Sequence, residues 1–259
     1  SRSANHFELT EAGRRLYDSS VEILGLVSRL PLLLRDAPDE ITGHVAVCVA
    51  SHVVTPIFDR ALAEFHQAHP RASVGISVMP SVDVIRQVRE ARASFGVCLV
   101  SQRDPALDYE LAYREFFGFF CGPPHRLFGR TGLKLDALAN ETSVSFHTDS
   151  IFDALRPVAM LRSEAKLETN VVGVSSNLEE VRRMIIAGLG IGPLPLHVVR
   201  RDIEDGLLWR LPPYEAPPAI DVFLVTNPGK AVNRAETALR NSLRGLIATT
   251  SMRDRTYDR

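Results

Sequence analysis

After Gly43 the sequence switches repeatedly, over short distances, between strand-like and helix-like patterning. HVAVCVA (44–50), ASVGISVMP (72–80) and FGVCLVS (95–101) are apolar and rich in β-branched residues. Between them, SHVVTPIFDRALAEFHQAHP (51–70) carries Ile57, Ala61, Leu62 and Phe65 at helical spacing, and SVDVIRQVREAR (81–92) turns Val84, Ile85 and Val88 inward. Strands separated by helices cannot pair as hairpins, so this order calls for parallel pairing through right-handed crossovers. The expected class is α/β.

A second series follows the same logic. LKLDALAN (133–140) reads as a short helix, TSVSFH (142–147) as a strand, SIFDALRPVAMLRSE (150–164) as a helix bent at Pro157, and KLETNVVG (166–173) as a strand. NLEEVRRMIIAGLG (177–190) is an amphipathic helix ending at Gly188 or Gly190, and IGPLP (191–195) is a tight strand exit. The two series are joined by YREFFGFFCGPPHRLF (113–128), a strand running into a Pro-rich bend and the first candidate for a crossing between lobes. PPAIDVFLVTN (217–227) is the candidate return. KAVNRAETALRNSLRGLIAT (230–249) closes as a long amphipathic helix, and the polar MRDRTYDR is expected to fray. A chain of 259 residues with 45% apolar content suffices for two such lobes.

The front of the chain is different. Thr10 can cap a helix whose first turn carries Glu11 at the positive dipole end. Leu16, Ile23, Val27, Leu30 and Leu34 then recur at steps of four and three once Ser20 is admitted, a seam suited to a partner helix. Pro31 is expected to kink or end that helix near Leu30, and RDAPDEITG (35–43) reads as a linker.

Charge excludes a nucleic-acid or anionic-lipid surface on the bulk, because 30 basic residues face 31 acidic ones. No apolar run approaches the roughly 18 residues of a membrane span, and no charged-then-apolar leader is present. A cytoplasmic protein with no membrane contact is expected. Cys48, Cys98 and Cys121 lack the close spacing of a metal site or redox pair; Cys48 and Cys98 read as buried thiols in strands, with a redox sensor as the alternative. The eight histidines show no ligand spacing, so no metal is expected. G-x-S-x-G is absent, no Ser–His neighbourhood has an orienting carboxylate at fixed offset, and no enzyme activity is expected. GLGIG follows a helix instead of opening one and so fails as a nucleotide loop.

LTEAG (9–13), the seamed helix behind it, ITGHVAVCVAS (41–51) and VRRMIIAGLGIGPLP (181–195) together resemble a LysR-type transcriptional regulator over nearly the whole chain. The resemblance implies that LTEAG ends the wing of a winged helix-turn-helix and starts a linker helix, which pairs with the same helix of another subunit through Leu16, Ile23, Val27 and Leu30. The DNA-reading domain itself is expected to be missing apart from the wing remnant NHFELT. It further implies a two-lobe fold like the type II periplasmic binding proteins. The expected division is 1–42 for the wing remnant and linker helix, 43–118 with 220–259 for the first lobe, and 119–219 for the second. Side-by-side, head-to-tail pairing of effector domains through the helices at 51–70 and 177–190 is implied as well, giving a homodimer or homotetramer.

In such a fold ligands sit beyond the carboxyl ends of strands, against helix N-termini that favour anions. The matching positions are Ser51, His52 and Val53, Ser81, Ser101, Phe146, His147 and Thr148, Ser175 and Ser176, and Gly192 and Pro193. Ser51, Ser175 and Ser176 read equally as helix caps, Pro193 more simply as a chain turn, and the histidines as structural residues; as ligand contacts, His52 and His147 would change charge near pH 6.5. No Arg is placed at a strand exit, so a monocarboxylate or neutral aromatic effector fits better than a dicarboxylate, and no cofactor is implied. The function implied is effector sensing that alters DNA binding; the alternative is the solute receptor of a transporter, and a weaker one an enzyme of the same fold.

Overall fold

The computed structural model describes residues 10–33, 40–148 and 153–257, with the side chains of Val27 and Leu30 among those outside the described set. The wing remnant through residue 9, most of the expected linker and the first three residues of the helix expected at 150–164 also lie outside it.

Helix α1 (Glu11–Leu33) starts as its sequence requires: the Thr10 hydroxyl accepts from the Gly13 amide at 3.1 Å, and Arg15 pairs with Glu11 one turn away. It runs through Pro31 to Leu33 instead of ending near Leu30; a proline costs one bond close to the far end of a 23-residue helix and leaves the earlier turns intact. The first lobe then opens with β1 (Gly43–Val49), α2 (Pro56–Ala68), β2 (Ala72–Val78), α3 (Ser81–Arg89) and β3 (Phe95–Leu99). The β1 strand pairs in parallel with both β2 and β3, as the crossovers demand. Helix α2 begins five residues later than expected from residue 51, because Thr55 is extended before Pro56 and the proline occupies the first turn, where its missing N–H is not needed.

Next comes β4 (Asp108–Cys121), a 14-residue strand that belongs to both lobes. Its first part, through Phe116, pairs with β9 (Ala219–Thr226) of the first lobe. From Phe117 onward it pairs with β7 (Gly192–Pro195) and β8 (Trp209–Leu211) of the second. Around this second part are a 3-10 turn at Leu135–Leu138, β5 (Ser143–Phe146), α4 (Arg156–Glu164), β6 (Val171–Ser175), α5 (Leu178–Ile186) and the short α6 (Arg200–Glu204). The β5 and β6 strands are parallel, and a bridge from Ser143 to Ile191 ties them to the strand exit at β7. Pro157 lies in the first turn of α4 and bends nothing. The expected strand at 166–173 is shifted to β6, because Lys166 takes a positive φ of 56° to close the end of α4, with the Leu167 amide bonding back to Arg162.

The GLG stretch is explained here. Gly188 has a φ of +81°, its amide donates to the Ile185 carbonyl and the Leu189 amide to that of Met184, the two bonds that close a helix through a left-handed residue. A side chain at Gly190 would collide with the Thr142 carbonyl where the two backbones touch.

Helix α7 (Arg234–Thr249) covers α2 and β1 with Leu239, Leu243, Leu246 and Ile247 buried. The polar tail is docked through residue 257, its last two residues lying outside the described set: β10 (Thr256–Tyr257) pairs with β4, and the Arg255 guanidinium donates to the Leu111 and Ala112 carbonyls at 2.8 and 2.7 Å. Fraying was expected because the segment is polar; its polar groups are instead those that satisfy an open strand edge.

Candidate functional site

Ser51 is the residue on which the cleft turns. It follows β1 but does not cap α2: Thr55 holds the N-cap position, and its hydroxyl bonds the Tyr257 hydroxyl at 2.8 Å instead of a helix amide. Its hydroxyl reaches across to the other lobe, donating to the Ser176 carbonyl at 3.1 Å and accepting from the Leu178 amide at 3.0 Å. It therefore satisfies an orphan amide of α5 from outside that helix's own lobe. Asn177, not Ser175 or Ser176, is the local cap, accepting from the Glu179 amide at 2.8 Å, while Ser175 Oγ accepts from the Asn177 amide at 3.1 Å. The α5 N-terminus was expected to offer free amides to an anion; its leading amides are already held, one of them by the opposite lobe.

Around this contact the expected residues divide. Ser101, His147 and Ser176 are exposed at strand exits, and Val53, Thr148 and Ser175 are half-buried; the His147 amide donates to the Ser175 carbonyl at 3.2 Å. Ser81 is buried, its hydroxyl accepting from the Leu99 amide at 3.2 Å and so binding the start of α3 to the end of β3. Phe146 is buried edge-on to Phe117, with ring centroids 6.4 Å apart. Gly192 and Pro193 are buried strand residues opposite Phe120 and Phe119, so Pro193 makes no chain turn.

His52 also departs from expectation. It is buried, and its Nε2 lies 3.8 Å from Oε1 of Glu115, too far for a hydrogen bond. Burial first, and then the nearby His197, lower its pKa to about 4, so its charge does not change near pH 6.5. Glu115 on β4 is wholly buried with neither oxygen hydrogen-bonded, and burial holds its carboxyl well above the usual range. The Tyr113 hydroxyl, two residues back on the same strand face, is buried without a partner as well. Sequence reading passed over Glu115 and Tyr113. The signal was available in YREFFGFF, where strand alternation places Tyr113, Glu115 and Phe117 on one face.

The three cysteines are free and buried, and burial pushes the Cys98 and Cys121 thiols up to about 12, far from thiolate chemistry. Among the described residues no group of three or more His, Cys, Asp and Glu is placed to hold a metal ion, and no helix is long and apolar enough to cross a membrane.

A strand shared by two α/β lobes, with a polar contact between them at strand exits, is a binding-protein arrangement, and residues 38–248 match the LysR substrate binding domain. The chain belongs to that family. This LysR domain is 24% identical over 233 residues to the HTH-type transcriptional activator BauR of Pseudomonas aeruginosa, a match covering 88% of this chain and 73% of BauR. Among solved structures, full-length CbnR complexed with its target DNA superposes with a TM-score of 0.69 at 18% identity, over 93% of this chain and 83% of CbnR. The effector binding domain of QuiR in complex with shikimate gives 0.66 at 12% identity, over 82% of this chain and all of that domain (100%). The chain is thus homologous to the small-molecule-binding regulatory domains of LysR regulators, a non-enzymatic family, and these matches lend no support to a transporter's solute receptor.

Proposed function

We propose that this chain is the effector-sensing and oligomerisation region of a LysR-type regulator, working in the cytoplasm, in which a small metabolite between the lobes alters DNA binding by a winged helix-turn-helix on the N-terminal side. The observation that carries this reading is the Ser51 bridge. A molecule entering between the lobes must replace or join the bonds from Ser51 to Ser176 and Leu178, and so changes how the lobes sit. A ligand shifts that equilibrium only by binding one arrangement better than the other, and competition with an internal bridge supplies such a difference.

The lobes are taken as 43–118 with 220–259, and 119–219. The effector is a monocarboxylate or a neutral aromatic metabolite, met by Ser51, Ser101, His147, Thr148, Ser175 and Ser176, with His52, Val53, Ser81, Phe146, Gly192 and Pro193 behind them as support. The absence of any Arg among these positions argues against a dicarboxylate. Self-association runs through α1, where Leu16 and Ile23 are 69% and 58% exposed; a strongly amphipathic helix left open in this way is completed by a second copy.

A thermal-shift screen of carboxylate and aromatic metabolites, repeated on Ser51→Ala, tests the site. A ligand that raises Tm in the wild-type chain and at least tenfold more weakly by concentration in the variant is expected; equal response of both refutes the assignment. Light scattering tests the assembly, since a solute receptor runs as a monomer and this chain as a dimer or tetramer.

A further inference from the structure

The turn that carries Ser51 is fastened at several points to parts of the molecule far apart in the chain. Ser51 holds the Ser176 carbonyl and the Leu178 amide of the second lobe. Three residues on, the Val54 carbonyl accepts from His197 Nε2 at 2.9 Å, and the Thr55 hydroxyl meets that of Tyr257 at 2.8 Å. A change in how the lobes sit is therefore felt along all of residues 51–55. His52 lies inside this turn, over β4: its Nε2 is 3.8 Å from Glu115 Oε1. Neither of those atoms, nor Glu115 Oε2, nor the Tyr113 hydroxyl has a hydrogen-bond partner, and all three residues are less than a tenth exposed.

Buried polar atoms are ordinarily paired, so a cluster of open ones needs a reason. Position supplies it. Strand β4 passes from pairing with β9 to pairing with β7 at Phe117, two residues beyond Glu115, so the cluster sits where one lobe turns on the other, and water entering as the lobes part would satisfy every open atom. We propose that His52, Glu115 and Tyr113 form a proton-linked latch under the Ser51 bridge: carboxyl and imidazole are neutral and dry while the bridge is made, and become hydrated and free to ionise when it opens, so that opening exchanges a proton with the solvent. This latch rests on the reading proposed above, in which the Ser51 bridge opens, and adds a proton to that equilibrium.

The groups around the pair set its pH response. Tyr257 of β10 stands opposite Glu115 in the strand register, Tyr113 shares its face of β4, and His197 acts on His52 from the second lobe. Beyond them Arg200 faces His197, and Arg255 and Asp59 face Tyr257. Arg114, next in the chain to Glu115, lies on the other face of the strand, held by Asp221 at 2.6 Å. Burial keeps the Glu115 carboxyl well above 4.5, and burial together with His197 keeps the His52 ring down at about 4. Hydration returns them towards 4.5 and 6.5. Between those values the proton that Glu115 loses on opening is matched by one that His52 gains, and opening is insensitive to pH. Above 6.5 the imidazole is neutral in both arrangements and Glu115 releases its proton to water. Rising pH then favours opening by up to about tenfold per unit for as long as the shut carboxyl stays protonated. An effector that replaces the bridge is accordingly bound with release of a proton at neutral pH.

Amide hydrogen exchange of the full chain, read by NMR, tests the latch without any ligand. The Leu178 amide is held by Ser51 across the cleft, whereas the Glu179 amide, next to it, is held by Asn177 of its own lobe, so the ratio of their exchange rates follows the bridge and cancels the intrinsic effect of pH. From pH 6.5 to 7.5 this ratio is expected to rise at least about threefold in the wild-type chain and to stay flat in Glu115→Gln, which copies the shape and neutrality of the protonated acid. Infrared spectroscopy of the wild-type chain needs no variant: the C=O stretch of a protonated carboxyl should persist at pH 7. A flat wild-type ratio, a rise that survives in Glu115→Gln, or no protonated carboxyl at pH 7 overturns the latch. Ser51→Ala separates the two readings. A higher ratio at both pH values in that variant leaves the bridge standing even where the latch fails; an unchanged ratio removes both.

Discussion

Two buried carboxylates in this molecule have opposite surroundings. Glu236, at the start of α7, is 4% exposed and receives hydrogen bonds from Ser94 Oγ at 2.6 Å, the Asn233 amide at 2.7 Å and Lys230 Nζ at 3.0 Å. Glu115, at the point where β4 passes between lobes, is 0% exposed and receives none. Burial acts to raise both, but at Glu236 the donors and the Lys230 charge outweigh it and the carboxyl falls below its usual value, while at Glu115 nothing does. A charge that is paired fastens one lobe together. A carboxyl left unpaired beside His52 and Tyr113 marks the passage between lobes as the place where the structure is not optimised for stability, which is where binding sites and moving parts are found.

The largest effect should come from breaking the paired network. Glu236→Ala leaves the Lys230 ammonium and the Ser94 hydroxyl without their partner and removes half of the capping box with Asn233; a loss of about 3 kcal/mol in urea unfolding is expected. Its carboxyl is depressed, so the stability it supplies is present above 4.5 and disappears as pH falls through the folded value.

Glu115→Gln sharpens the comparison because its sign is reversed. In the folded chain Glu115 keeps a proton above 4.5 that the unfolded chain releases, whereas His52 stays neutral down to about 4 although the unfolded ring protonates below 6.5. Between 4.5 and 6.5 these two linkages cancel. Above 6.5 the His52 linkage is exhausted, while Glu115 goes on lowering stability as pH rises for as long as the folded carboxyl keeps its proton. Urea midpoints followed upward from pH 6.5 should therefore fall more steeply for the wild-type chain than for Glu115→Gln; identical pH profiles would show that Glu115 is ionised in the fold.

Ser51→Ala probes the bridge above this passage. Loss of its two bonds should cost about 1 kcal/mol and increase the radius of gyration measured by X-ray scattering as the lobes separate. Unchanged dimensions would place the lobe contact elsewhere. The smallest folding effect belongs to α1: Leu16→Asp with Ile23→Asp should alter unfolding by no more than about 0.5 kcal/mol, since both side chains are exposed, yet should lower the mass seen by light scattering. An unchanged mass would remove α1 from the assembly.

Much of the fold was legible because it rests on periodicity. The parallel pairing of β1 with β2 and β3, the stripe of α7, and the Thr10 start of α1 each follow from residues close together in the chain. The candidate site was legible only as a set of strand exits. That Ser51 serves α5 across 127 positions, that Ser81 is committed to Leu99, and that His52 meets Glu115 depend on which turns come to face one another, and no local pattern reports that.

By itself the sequence determined the alternation of strands and helices through the first lobe, the family, and the apolar spacing along α1. The tertiary structure alone decided which polar groups are paired. Hydrophobic burial is non-directional and follows from spacing, whereas a hydrogen bond needs two atoms within about 3 Å and properly aimed. For Ser51 and Leu178, or for Glu115 and the donors it lacks, that alignment is set by where two lobes meet.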